Sequence, residues 1–515
     1  HNQIRKMLMT IQKAEDYEKT WDQAFEEAYY IFAETQPFPS VCGRVCPHPC
    51  ETECNRKEKE GPVNINKMER YIGDYALDKD LKPKMLTEDK HTEKIAIVGG
   101  GPGGLSAAYH LARRGYPVTV FEAFPKAGGM LRYGIPDYRL PQDILDKEIQ
   151  RIADMGVEIK LNTSVGADVQ MDELRKDYAA TFVSIGAHKG RLLRLEGEDA
   201  ENVWTGTDFL HKVNAGEKVE IGDKVVVVGG GDTAVDAARV ARRLGAEATI
   251  LYRRTKTEMP AIDEEIVGAE EEGIKIEFLA APADLYADNG KATGMKCQRM
   301  ELGEPDSSGR RRPVPIEGDT FDLEFTTLIA AISQEPNFSG FENLIEGKDW
   351  IKTDEHYKTK EDQVYAGGDN INLGLVIDAI AHGRVAAMAI DSAITNQEMP
   401  EVLPKMGTIR FDKMKLSHYD KLERVEATEI PVAERMDSLD REIVSTFTQD
   451  EAIAESKRCM SCGYCFDCGS CWSYCQDNAV VKPLVKGEHY QFKLEFCNGC
   501  KKCAENCPCG YIEMH

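Results

Sequence analysis

Apolar positions change their spacing several times along the chain, and each change predicts a different kind of element. In residues 1–36, Ile11, Tyr17, Trp21 and Phe25 recur at helical intervals. That segment reads as helices, stopped by Pro37 and Pro39. Residues 77–93 are charged and read as a linker. From Lys94, a short apolar run meets a glycine-rich turn and then a helical pattern. The same unit recurs from Lys224, and strands and helices alternate to about residue 396. That order predicts an α/β fold with parallel sheets covered on both faces. Residues 397–447 are polar with scattered apolar positions and read as an extended connector. Thr448-Gln-Asp-Glu451 has the form of a capping box that opens a helix leading to Cys459. The final segment repeats one cysteine spacing twice.

Length and charge narrow the picture. A chain of 515 residues is too long for one ordinary core. No apolar run reaches the length of a membrane helix. The net charge of −24 argues against a nucleic acid partner, because phosphate binding needs a basic face, and favours a partner with a basic docking patch. No secretory signal is visible, and a cytoplasmic setting is expected. The chain opens on His1 rather than Met, which leaves a preceding targeting segment open.

The first glycine-rich turn lies in KIAIVGGGPGGLSAAYHLARRGYPVTVFE, residues 94–122. Gly99 permits the tight turn, Gly101 lets the backbone approach a pyrophosphate, and Gly104 lets helix pack on strand. The helix N-terminus offers free N–H groups to the phosphates. Glu122 ends the second strand, where a carboxylate accepts bonds from ribose hydroxyls. The second turn, in 224–254, has Gly229, Gly231 and Ala234 at the same spacing. Here Tyr252 stands at the acid's position and Arg253 and Arg254 follow, which suits the 2′-phosphate of NADP over NAD.

The 16 cysteines fall in groups. Cys465, Cys468, Cys471 and Cys475, then Cys497, Cys500, Cys503 and Cys507, follow two-cluster ferredoxin spacing. In that arrangement the fourth cysteine of each run ligates the other cluster. Cys465, Cys468, Cys471 and Cys507 are expected on one 4Fe–4S cluster, and Cys497, Cys500, Cys503 and Cys475 on the second. Gln476 stands where proline usually follows. Cys42, Cys46, Cys50 and Cys54 recur every four residues and argue for a third cluster. Cys459, Cys462 and Cys509 are left over, to complete a fourth cluster, shield one, or serve as structural thiols. Cys297 reads as a small core residue.

Together these residues resemble the small subunit of glutamate synthase and its relatives. The likeness covers about 1–395 through PFPSVCGRVCPHPCETEC (37–54), GPVNINKMER (61–70), GGMLRYGIPDYRLP (128–141), YRRTKTEMPA (252–261) and VYAGGD (364–369). The resemblance implies FAD at the first turn, with Gly129, Gly368 and Asp369 among the cofactor contacts and the helix near Leu375 facing the flavin. It implies NAD(P)H at the second turn, and a carboxylate ligand that makes Glu69 a candidate in place of one of Cys42, Cys46, Cys50 and Cys54. The layout is a helical Fe–S domain at 1–85 and a FAD domain at 86–205 and 326–396. A nested NAD(P) domain follows at 206–325, then a linker at 397–455 and a ferredoxin-like domain at 456–515. One departure is that RCMSCG, usually near the N-terminus, sits at 458–463. That layout is similar to the iron–sulfur flavoprotein partner of dissimilatory sulfite reductase in sulfur metabolism.

The implied function is an NAD(P)H oxidoreductase moving electrons through FAD and three or four 4Fe–4S clusters. Its partner is a sulfite reductase-like or ferredoxin-like protein, and a homodimer is compatible. Alternatives are a glutamate synthase-like subunit, a bifurcating ferredoxin:NADP oxidoreductase subunit, and a non-catalytic relay or assembly scaffold.

Overall fold

A computed structural model describes residues 2–307, 309–345, 350–400 and 409–514. The chain divides into two compact units. One joins residues 1–86, 398–428 and 445–515; the other joins 87–397 and 429–444.

The first unit begins with helices Ile4–Gln12 and Trp21–Ala33, which bury Ile11 and Phe25 as their spacing predicts. Tyr17 lies in the turn between them rather than in a helix, and Thr20 caps the second helix. Pro39 opens a further helix, Pro39–Val45, at the position where a missing N–H costs nothing. That helix crosses helix Ile65–Asp78 at two glycines. A Cβ on Gly43 would stand 2.3 Å from Arg70 N, and one on Gly73 would stand 2.2 Å from Ser40 N. Only glycine permits so close a crossing.

The C-terminal part of the sequence completes this unit. The capping box at Thr448 and Glu451 opens helix Gln449–Ser456. Phe447, Ala452, Ile453 and Cys459 share one core with the N-terminal helices. Residues 397–455 are therefore more than a surface connector, although 401–408 lie outside the described residues.

The second unit holds two five-stranded parallel sheets of the same plan. In the first the order is Val364–Ala366, Ala180–Val183, Ile95–Val98, Val118–Phe121, Glu158–Lys160. In the second it is Val203–Thr205, Thr327–Ala330, Lys224–Val228, Glu247–Tyr252, Lys275–Phe278. The strands Val203–Thr205 and Thr327–Ala330 thus belong to the nested sheet, and the chain rejoins the first sheet only at Val364. Lys189–Gly190 and Gln334–Glu335 pair antiparallel where the chain leaves and returns.

One element departs from the alternating pattern. Strands Ala280–Asp288, Lys291–Pro305 and Arg311–Glu324 form an antiparallel three-stranded sheet. Its last strand, Arg311–Glu324, buries no residue, so the apolar signal there is weak. Cys297 is a buried core residue packed with Val226, Leu251 and Met295, as expected.

Candidate functional site

Strand Ile95–Val98 ends at Gly99, whose φ is +100°, and Gly101 precedes helix Pro102–Arg113. A Cβ on Gly104 would stand 2.0 Å from Gly99 O, so helix and turn meet with no room for a side chain. Glu122 bonds back to this turn. Its Oε2 accepts from Gly100 N at 2.7 Å and its Oε1 from Phe124 N at 2.9 Å. Burial raises its pKa, and those N–H groups oppose the rise.

Gly129 (φ +54°) faces Gly101, and a Cβ on it would come 2.8 Å from Gly101 Cα. Gly128 N donates to Gly100 O at 2.8 Å. Far along the chain, strand Val364–Ala366 brings in Gly368, whose N–H donates to His382 Nδ1 at 3.0 Å. Helix Val376–Thr395 then packs on Pro102–Arg113, where a Cβ on Gly383 would stand 2.2 Å from Gly103 O. As a result Gly99, Gly101, Glu122, Gly129, Gly368 and Asp369 all line one open cavity. Gly104 supports it from behind.

These residues fit an extended dinucleotide: lining glycines, a helix N-terminus, and the carboxyl groups of Glu122 and Asp369. Burial pushes the Asp369 carboxyl up to about 6. His188 was not anticipated. It lines the same cavity, and burial, then His211, push it down to about 4, so it is neutral at pH 7. No local pattern flags an isolated histidine in a loop.

The second turn repeats the geometry with different chemistry. Gly229 has φ +152°, and a Cβ on it would stand 2.2 Å from Ala331 O. Gly231 precedes helix Asp232–Arg243, in which Ala234 is buried. Where the first site has a carboxylate, the Tyr252 ring covers the turn, 2.4 Å from a Cβ on Gly230, and its hydroxyl donates to Glu258 O at 2.6 Å. The two arginines part company. Arg253 is exposed. Arg254 is buried, pairs with Asp306 at 2.8 Å and donates to Arg311 O at 2.7 Å. Of the two arginines expected at a 2′-phosphate, Arg254 is thus engaged within the protein and Arg253 is exposed.

A buried polar network, also missed by sequence reasoning, joins the two nucleotide domains. Arg139, on the stretch that begins at Gly129, pairs with Asp236 at 2.7 Å and Glu265 at 3.2 Å. Tyr138 lies against Arg239 and Arg243, 4.7 and 4.0 Å from its ring centre.

The cysteines gather in the other unit. Cys465 and Cys471 both feel the charges of Cys468 and Cys507. Cys475, Cys497, Cys500 and Cys503 line one small cavity. In each of these two groups, a thiol of one run lies among thiols of the other. At the N-terminal end, the glycine crossing brings Glu69 to the cysteine segment. Cys50 feels Glu69 and Cys46, and Asn66 Nδ2 donates to Cys42 O at 3.3 Å and Cys46 O at 3.4 Å.

Cys54 has different neighbours, Cys459 and Cys462. Gln12 donates to Lys457 O at 3.0 Å, Arg5 to Cys462 O, and Gly463 N to Cys509 O at 2.6 Å. Fully buried Arg458 pairs with Glu455 at 2.6 Å and donates to Gly61 O at 2.7 Å, Pro62 O at 2.8 Å and Leu422 O at 3.0 Å. Among the described residues no three Cys, His, Asp or Glu close on a single-ion site. A four-iron cluster sits between its thiolates, so its ligands need not converge as those of one tetrahedral ion do. The donor sets, soft thiolates with one carboxylate, fit such clusters. No helix among the described residues is long and apolar enough to cross a membrane.

Comparison with known proteins agrees with this geometry. The pattern of the pyridine nucleotide-disulphide oxidoreductases matches residues 93–386, and that of dihydropyrimidine dehydrogenase domain II, 4Fe–4S cluster, matches residues 4–81. The chain is 39% identical over 481 residues to the NADPH-Fe(3+) oxidoreductase subunit beta of Geobacter sulfurreducens, covering 85% of this chain and 71% of that one. It is 40% identical over 479 residues to the NADP(+)-dependent formate dehydrogenase subunit beta of Moorella thermoacetica, covering 86% and 67%. It is 35% identical over 397 residues to the glutamate synthase [NADPH] small chain of Escherichia coli, covering 71% and 82%. FprA of Mycobacterium tuberculosis in complex with NADPH shares the fold, with a TM-score of 0.53 at 19% identity over 59% of this chain and 85% of that one.

Proposed function

Because the chain belongs to the pyridine nucleotide-disulphide oxidoreductase family and is an FAD- and Fe–S-dependent NAD(P)H oxidoreductase, we propose that it is the NADPH-oxidising subunit of an electron-transfer complex. The observation that carries this reading is the coexistence of two unlike dinucleotide cradles with cysteine groups suited to clusters. A bound flavin would accept the nicotinamide's electron pair, and bound clusters would carry single electrons.

The chain's own residues supply position and selectivity. Gly99, Gly101 and Gly129 admit the FAD pyrophosphate, Glu122 takes a ribose, and Gly368 and Asp369 hold the other end of the cofactor. Gly229, Gly231 and Ala234 cradle the nicotinamide nucleotide, and Arg253 meets its 2′-phosphate. Four ligand sets follow. Two are the crossed ferredoxin sets. A third is Cys42, Cys46 and Cys50 with Glu69. In the fourth, Cys54 joins Cys459 and Cys462, with buried Cys509 as the remaining thiol.

For the partner, the names of two relatives, an NADPH-Fe(3+) oxidoreductase subunit beta and an NADP(+)-dependent formate dehydrogenase subunit beta, favour a separate catalytic subunit. A sulfite reductase belongs to the same class. Anaerobic titration of the cofactor-loaded protein with NADPH and with NADH tests the function. NADPH is expected to bleach the flavin and then the clusters. Failure of both nucleotides to bleach it would favour the relay scaffold.

A further inference from the structure

We propose that the hairpin beginning at Val480, with the segment that continues from it to Lys502, is a docking surface for an acidic one-electron carrier protein. This inference rests on the electron-transfer function above. Strands Val480–Val481 and Gln491–Phe492 pair antiparallel and hold out a loop. None of residues 484–501 is buried. Among them are Leu484, fully exposed, Leu494 at 76%, Val485 at 60% and Phe496 at 57%. Exposed apolar residues are ordinary when scattered; this many along one short segment mark an interaction site.

The loop is held in a defined place. Tyr490 Oη donates to Asp467 Oδ1 at 2.6 Å, Gly487 N to Asp467 Oδ2 at 3.1 Å, and Lys486 Nζ to Asp16 O at 2.8 Å. The apolar side chains are thus presented by an anchored frame.

Charge selects the partner. Residues 480–502 carry Lys482, Lys486, Lys493, Lys501 and Lys502 against Glu488 and Glu495, in a chain whose net charge is −24. A basic island on an acidic molecule orients an acidic partner, which the rest of the surface repels and this segment attracts. Exposed Cys497 and Cys500 lie inside the island. A carrier docked here would therefore meet the second ferredoxin-like ligand set directly. Oxidation of one reduced nicotinamide supplies two electrons and releases one proton, and two carriers take one electron each.

The test uses the full, cofactor-loaded chain with two probes, an acidic one-cluster ferredoxin and a basic c-type cytochrome. Binding is measured by calorimetry at low and at ~0.5 M salt, and NADPH-driven ferricyanide reduction is followed in parallel. Ferredoxin is expected to bind, and to weaken about tenfold or more at high salt. Lys482→Glu with Lys493→Glu should weaken it by about tenfold and strengthen cytochrome binding. Leu484→Ser with Val485→Ser should weaken it at both salt concentrations alike. Ferricyanide reduction and the visible spectrum should be retained in both variants. Unchanged ferredoxin binding by the charge-reversed chain overturns the docking surface. So does loss, in that variant, of a wild-type self-association, which would assign the segment to a second copy. Wild-type failure to reduce ferricyanide instead refutes the functional reading, because binding is measured without turnover.

Discussion

At the scale of single residues, neighbouring side chains of the same type do different work. Arg253 and Arg254 are adjacent and of the same type, yet one is exposed and the other is buried on Asp306. Arg253→Ala should raise the KM for NADPH by about ten- to a hundredfold, the order expected for one charge-assisted contact of roughly 1.5–3 kcal/mol, and leave NADH kinetics unchanged. Arg254→Ala should instead lower the melting temperature without shifting the NADPH/NADH ratio. Steady-state kinetics with both nucleotides and a thermal scan separate the two.

Asp369 gives a pH signature on the same scale. Burial raises its pKa from 3.8 to about 6, so the folded chain keeps a proton that the unfolded chain releases. Its contribution to cofactor-free stability is present below pH 3.8 and lost as pH rises through 6, worth at most about 3 kcal/mol. Asp369→Asn should flatten that part of a pH-dependent denaturation series; an undiminished slope would assign it to other groups.

At the scale of elements, legibility in the sequence follows the range of the interaction. The strand–glycine turn–helix units and the ferredoxin spacing were readable because each is a local geometric requirement: a turn with positive φ, or thiols spaced to wrap a cluster. The antiparallel sheet over 280–324 was not, because its exposed strand has little apolar alternation to announce it. The Arg139–Asp236 pair was not, because its partners lie 97 residues apart on elements that meet only in the fold. That pair is buried at both ends. Arg139→Leu would strand the Asp236 carboxylate without its cation, and should cost about 3–5 kcal/mol. The double variant Arg139→Leu/Asp236→Leu should recover much of that loss in chemical denaturation if the penalty is the unpaired charge.

At the scale of the whole molecule, the order of segments in sequence does not match their grouping in space. Reading along the chain suggests a self-contained tail after a linker. Instead, Arg458, Glu455 and Cys459 complete the core that the first residues begin. The RCMSCG displacement was visible in the sequence; its return to the N-terminal helices was not, because nothing local to either segment encodes their meeting. Consequently, removing residues 445–515 should do more than delete the two proposed ferredoxin-type ligand sets. It takes away Phe447, Ala452 and Ile453 from the N-terminal core, and Cys459 and Cys462 from Cys54. The truncated chain should keep NADPH-reducible flavin in residues 87–397, yet its first 86 residues should become protease-sensitive and lose Cys54's share of iron. A milder variant, Cys459→Ser, should remove only that cluster's reducible signal and leave the N-terminal segment protected. Iron content and limited proteolysis, compared across wild type, truncation and point variant, decide the matter. A truncation that keeps protease-resistant helices at 4–33 would show the tail to be an independent appendage after all.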